Sequence, residues 1–191
     1  MTTYTGTNGD DTITGASADD FIFGLDGNDV LSGGLGNDEI NGGRGDDSLF
    51  GGEGDDILRG HSGDDYLSGG NGNDKLYGTK GENVLSGGNG DDFIWLGADD
   101  SADRVVISDP TGGSQYDRVY QFNTEDGDVI DFVHPGTVTM TDAVQKQNGT
   151  MIHYEEQGVS HKLWLGSVDF DDLTTNDFNG ISGVEQFFDI A

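Results

Sequence analysis

The chain has 191 residues, with 37 acidic against eight basic side chains, a formal net charge of -29 and no cysteine. That length suits one domain or two small ones. So acidic a chain, with its few Lys and Arg unclustered in sequence, is a poor partner for nucleic acid, repels itself without cations, and cannot lean on disulfides. No stretch is long and apolar enough for a transmembrane span, and the polar start Met1–Gly6 does not read as a Sec signal.

From Gly6 to Trp95 the chain is one repeat. Ten nine-residue units open at Gly6, Gly15, Gly24, Gly33, Gly42, Gly51, Gly60, Gly69, Gly78 and Gly87, each reading G-x-x-G-x-D-x-U-x with U a large aliphatic. The fourth position is Gly except at Ala18, the sixth is Asp except at Asn83, and the eighth is always Ile or Leu. In the unit Gly42–Phe50 the last three residues suit one short strand with Leu49 inward, and the first six suit a glycine turn. Two units bring the chain back above its start, so alternate units stack into two parallel sheets. Ile13, Leu31, Leu49, Leu67 and Leu85 then face Ile22, Ile40, Leu58, Leu76 and Ile94 across a thin core.

The same spacing stacks Asp11, Asp29, Asp47 and Asp65 in one column and Asp20, Asp38, Asp56, Asp74 and Asp92 in the other. Columns of like charge at strand spacing repel unless a cation lies between them. Carboxylates and turn carbonyls are hard oxygen donors that suit Ca²⁺. Without Cys, and without a recurring His, zinc and copper are poor candidates.

The unit resembles the G-G-x-G-x-D-x-U-x nonapeptide of RTX (repeat-in-toxin) proteins. Units at Gly33, Gly42, Gly51, Gly69 and Gly87 match it in full, whereas Thr7, Ala16, Leu25, His61 and Thr79 depart at the second position. The ninth unit also carries Lys80 and lacks the acid. The resemblance implies an all-β fold: a right-handed parallel β-roll of 18 residues per coil, loaded with calcium, followed by a β-rich cap. Carried over, it places side-chain ligands at Asp11, Asp20, Asp29, Asp38, Asp47, Asp56, Asp65, Asp74 and Asp92. It places turn carbonyls at Gly27, Gly36, Gly45, Gly54, Gly63, Gly72 and Gly90. About eight Ca²⁺ ions follow, with the end sites and unit nine weakest.

After Trp95 the period stops, which divides the chain into a roll at 1–96 and a cap at 97–191. Arg104–Ser108, Arg118–Phe122, Asp128–Phe132, Thr137–Thr141, Met151–Glu155 and His161–Leu165 read as short strands, and Asp169–Phe178 as a helical turn. The segments Asp117–Phe132 and Leu163–Phe178 resemble regions that follow RTX repeats in secreted proteases and in the R-modules of alginate epimerases. A cap is needed in any case, because an open roll end exposes backbone and aliphatic side chains. Val184–Ala191 mixes acids with apolar residues and resembles the uncleaved C-terminal signal of type I secretion substrates.

Nothing points to catalysis. His61, His134, His153 and His161 lie in four unrelated settings, the strand histidines reading as surface residues, and Asp126 with Asp128 fits a turn. No H-E-x-x-H, G-x-S-x-G or P-loop occurs. The leading expectation is a non-enzymatic calcium-binding protein, exported through type I secretion machinery from a Gram-negative cell to the medium or cell surface, and folded there by calcium. Two alternatives stand beside it. One is an accessory module that binds an extracellular polysaccharide for a larger enzyme such as an alginate epimerase. The other is a surface or biofilm matrix protein.

Overall fold

The computed structural model describes residues 1–108, 115–133, 138–156, 159–168, 172–173, 177–179 and 181–182. No helix of the described residues is long and apolar enough to cross a membrane. The strands are β1 (Thr3–Thr5), β2 (Thr12–Thr14), β3 (Phe21–Asp26), β4 (Val30–Leu35), β5 (Glu39–Arg44), β6 (Ser48–Glu53), β7 (Ile57–Ser62), β8 (Tyr66–Asn71), β9 (Lys75–Lys80), β10 (Val84–Asn89) and β11 (Phe93–Trp95). Beyond the repeats come β12 (Arg104–Ile107), β13 (Tyr116–Tyr120), β14 (Val129–Phe132), β15 (Val138–Lys146), β16 (Gly149–Glu156), β17 (Val159–Gly166), β18 (Phe178–Asn179) and β19 (Ile181–Ser182).

Odd and even strands of the repeats separate into two parallel sheets, as the parity of the units requires. One sheet runs β1-β3-β5-β7-β9-β11-β13-β17-β16-β15-β19, and the other runs β18-β14-β12-β10-β8-β6-β4-β2. Register keeps every eighth-position aliphatic on its equivalent one coil later, such as Ile22 on Ile40 and Leu31 on Leu49. The fold is therefore the parallel β-roll that the repeat implied. From Ile22 to Ile94 these aliphatics are fully buried, while Ile13 at the open end is only partly covered.

The strands are twice the expected length. Each full strand takes the last three residues of one unit and the first three of the next, as in Ser48–Glu53, which leaves only Gly54-Asp55-Asp56 for the turn. The first three positions stay extended because their backbones pair coil to coil, Gly43 with His61 and Arg44 with Ser62.

The 18-residue period ends at Trp95, but the sheets do not. Val105 stacks on Leu85, Ile130 on Val105, Val119 on Ile94 and Phe178 on Ile130. Coils lengthen here, and equivalent residues lie 20 or 25 apart. Strand β17 continues the first sheet in parallel, after which β16 and β15 turn antiparallel. Larger side chains fill this end: Tyr154 meets Phe132 edge-on at 5.0 Å, beside buried Ile152, Leu163 and Leu165. His161, expected at the surface, is 1% exposed and stacks on Tyr154 at 5.0 Å, because β17 turns that face into the core. Of the expected helical turn Asp169–Phe178, residue Phe178 is in strand β18 and most of the rest lies outside the described residues, as do His134 and Val184–Ala191.

Candidate metal centre

Each sixth-position Asp closes a turn and begins the next strand. From Asp29 on, its Oδ1 accepts the backbone N–H of the sixth residue one coil earlier: Asp29 donates to Asp47 at 2.8 Å, Asp47 to Asp65 at 2.9 Å, and Asp38 to Asp56 at 2.7 Å. The other oxygen is different. Oδ2 of Asp29, Asp38, Asp47, Asp56, Asp65, Asp74 and Asp92 is buried with no hydrogen-bond partner. It lies over the glycine that opens the same unit. A Cβ at Gly42 would fall 2.2 Å from Asp47 Oδ2, and one at Gly51 would fall 2.3 Å from Asp56 Oδ2. Glycine opens all ten units because that cradle has no room for a methyl group.

At the open end the carboxylates turn to their own loops. Thr7 N–H donates to Asp11 Oδ2 and Ala16 N–H to Asp20 Oδ2. Backbone N–H donation, from Ala16 above all, holds the Asp20 carboxyl below its ordinary value. Inside the roll the sign reverses. Burial pushes Asp47 up to about 6, Asp56 and Asp65 to about 7 and Asp74 to about 8, with repulsion from the stacked carboxylates adding to it and the donated N–H opposing it. Burial raises Asp38 too, and takes Asp92 to about 6. A buried carboxylate oxygen without a donor needs a proton or a cation.

The fourth-position glycines complete the turn. Gly27, Gly36, Gly45, Gly54, Gly63, Gly72 and Gly90 all have φ between +110° and +132°, a region that glycine enters without Cβ strain. Their carbonyls point along the column: the oxygen of Gly27 lies under Gly45, that of Gly54 under Gly72 and that of Gly72 under Gly90. Among the described residues no three acidic or His side chains converge on one point. An ion held here therefore takes much of its coordination from turn carbonyls, and the hard oxygen set of carboxylate plus carbonyl fits Ca²⁺.

Three features escaped the repeat pattern. First, the fifth position is a second ladder. It is Asp, Asn or Glu in every unit, and its side chain accepts the N–H of the fifth residue one coil later, as Asn28 accepts from Asp46 at 3.0 Å and Asp46 from Asp64 at 2.9 Å. Second, the buried columns run past the repeats. Asn83 N–H donates to Asp103, Asp103 to Asp128 and Asp92 to Asp117. Burial raises Asp103 to about 7 and Asp128 to about 6. Each sits two residues before Val105, Val119 or Ile130, a D-x-U signal without its glycines. Third, Asn83 closes its own turn, accepting from Asp65 N–H at 3.0 Å and donating Nδ2 to the Gly81 carbonyl at 2.8 Å.

The family model for the RTX calcium-binding nonapeptide repeat matches residues 5–40, 33–67 and 68–101. The chain belongs to the RTX calcium-binding nonapeptide repeat family. Its repeats are calcium-binding, so this is a calcium-binding protein of the RTX type. Two solved structures resemble it. One is the extracellular lipase LipA from Serratia marcescens, at 18% identity and TM-score 0.38, covering 91% of this chain and 39% of that one. The other is the solution structure of the AlgE6R3 subunit of the Azotobacter vinelandii mannuronan C5-epimerase, at 20% identity and TM-score 0.30, covering 93% and 82%. This RTX chain thus spans well under half of the lipase. No curated protein matches it.

Proposed function

We propose that this RTX protein is non-enzymatic and secreted, and that it folds as calcium enters its two aspartate columns. One observation carries the reading: the seven stacked, buried carboxylates whose Oδ2 has no donor. In a cytosol poor in free calcium, repulsion along these columns keeps the chain loose and fit for export. Outside, Ca²⁺ neutralises the columns, so binding energy becomes folding energy. Asp11, Asp20, Asp29, Asp38, Asp47, Asp56, Asp65, Asp74 and Asp92 supply carboxylate oxygens, Gly27 through Gly90 supply carbonyls, and the ions number about eight. Residues 97–191 act as the cap, supported by the pairing of β12 on β10 and β13 on β11. The terminal segment Val184–Ala191 acts as the type I export signal.

Circular dichroism during a calcium titration, with a count of bound ions, tests the folding reading. A cooperative gain of β-signal is expected, and a full signal in EDTA overturns it. Deleting 184–191 in cells that carry a type I exporter tests the export reading, with retention in the cell expected.

A further inference from the structure

The aspartate column beside the first sheet does not end with the repeats. Asp92 is its last repeat acid, and the family's repeat matches no residue beyond 101. One coil later stand Gln115, Tyr116 and Asp117. Tyr116 N–H donates to Asp91 at 2.9 Å, Asp92 N–H to Asp117 at 3.1 Å, and Arg118 N–H to the Asp92 carbonyl at 2.9 Å. Gln115-Tyr116-Asp117 therefore lie over Gly90-Asp91-Asp92, position for position, at a spacing of 25 residues. None of the three belongs to a nonapeptide unit.

Gln115 stands where a turn glycine would be, and it changes what the turn offers. Gly90 has φ +130°, a region that Gln115 does not enter. In the repeats the fourth-position carbonyl points along the column. The backbone carbonyl of Gln115 is instead engaged by Lys162 N–H at 2.9 Å, which ties this turn to β17. A side-chain carbonyl takes over. Gln115 is 5% exposed, and its Nε2 donates to the Gly88 carbonyl at 3.1 Å. A carbonyl only accepts, so the amide nitrogen must be the atom that faces Gly88, and Oε1 turns the other way. Among the described residues Oε1 is buried with no hydrogen-bond partner.

A second orphaned oxygen lies at the same corner. Asp92 is fully buried, its Oδ2 has no donor, and a Cβ on Gly87 would fall 2.0 Å from that oxygen. Gly87 and Gly88 thus sit under two unpartnered oxygens, one from each coil. Asp117, also buried, adds a second carboxylate. Arg118 does not answer them. Burial raises the Asp92 carboxyl, and the Arg118 charge is near enough to oppose part of that rise, yet Arg118 Nε has no hydrogen-bond partner either. A proton would satisfy Asp92 but not Gln115, because an amide oxygen stays unprotonated and needs a donor or a cation.

We propose that Asp92, Gln115 and Asp117 hold a further Ca²⁺ at the seam between the last repeat and the cap, beyond the about eight sites of the repeats. Carboxylate and amide oxygens are both ordinary ligands of Ca²⁺, which accepts an irregular set more readily than Mg²⁺ does. Only two of these ligands are acidic, in keeping with the absence of three converging acidic or His side chains among the described residues. The ion joins β11 of the roll to β13 of the cap, and so makes docking of the cap depend on calcium. The assignment rests on the calcium reading of the columns.

The test is an ion count on the full chain, by equilibrium dialysis in calcium and elemental analysis of the protein. Gln115→Leu should hold one ion fewer than the wild type, and Gln115→Glu should regain it. The glutamate separates a ligand from a merely structural glutamine. It keeps an oxygen but lacks the Nε2 donor to Gly88, so a structural role predicts that it does no better than leucine. An unchanged count in folded Gln115→Leu, or a Gln115→Glu variant that also lacks the ion, overturns the proposal. If Gln115→Leu does not fold, the glutamate decides alone: its added charge should tighten the last ion about tenfold over the wild type, and an unchanged affinity overturns the proposal. A wild type with full β-signal in EDTA would instead overturn calcium-driven folding, and the same counts would still decide this site.

Discussion

Asp56→Asn separates the two demands that the column makes on one side chain. In the wild type, Oδ1 of Asp56 accepts from Asp38 N–H at 2.7 Å and Oδ2 is buried without a donor. Asn83 displays what an amide does in the same position: it keeps the coil-to-coil hydrogen bond and gives its Nδ2 to the fourth-position carbonyl of its own turn. Asp56→Asn should do likewise with Gly54. It thus removes one buried charge and one unsatisfied acceptor, the latter costing about 1–3 kcal/mol. Without calcium the roll should gain about 2 kcal/mol, roughly thirtyfold in its folding constant. With calcium the sign reverses, because a charged ligand is lost. Asp56→Ala lacks both hydrogen bonds, strands Asp38 N–H, and should be worse in either state. The assay is far-UV circular dichroism at pH 7: an osmolyte titration in EDTA, then a calcium titration. The Asn variant should fold at lower osmolyte and higher calcium than the wild type. An Asn variant that needs as much osmolyte as the wild type, or that matches Asp56→Ala, refutes the reasoning.

In EDTA the pH dependence should be the reverse of acid unfolding. The folded carboxyls of Asp47, Asp56, Asp65 and Asp74 sit at about 6 to 8, above their ordinary value of 3.8, so their contribution is complete below 3.8 and is lost as pH rises through 6 to 8. β-signal that grows on acidification from pH 8 to 4 is expected, and loss over that range counts against buried columns. Gly51→Ala should lower the thermal midpoint in calcium sharply, since its Cβ would lie 2.3 Å from Asp56 Oδ2 and 2.5 Å from the Gly69 carbonyl. Gly9→Ala, with nothing within 4 Å, should leave that midpoint unchanged, and equal effects of the two would show that the cradle is not tight. Residues 1–96 alone should not fold at any calcium level, because Leu85 and Ile94 lose Val105 and Val119; a fragment with the midpoint of the whole chain would remove the cap from the folding account. Thr79→Gly should raise the thermal midpoint by relieving φ +95°, and no change would mean that the turn relaxes without strain.

The repeat alone was enough to read the two-sheet roll, the inward aliphatics and the two aspartate columns. These depend only on parity and period: residue i and its equivalent one coil later meet whatever the rest of the chain does. The fifth-position ladder follows the same rule, in a position that is Asp, Asn or Glu ten times over, but the mixture of three residue types hides it beside the invariant glycine and aliphatic positions. Where coils lengthen to 20 and 25 residues the rule fails, so Asp103, Asp117 and Asp128 became column members only once strand pairing was seen. Strand length, too, needed the structure, because glycine-rich positions read locally as turn and become strand through the pairing of neighbouring coils. His161 went inward for a reason outside its own segment, the packing of β17 between β13 and β16. The placing of seven of the eight Lys and Arg on strands of one sheet is the same kind of fact. Sequence determined what repeats from coil to coil; tertiary structure decided which residues of the irregular coils share a column or a face, since that depends on contacts between segments no local pattern links.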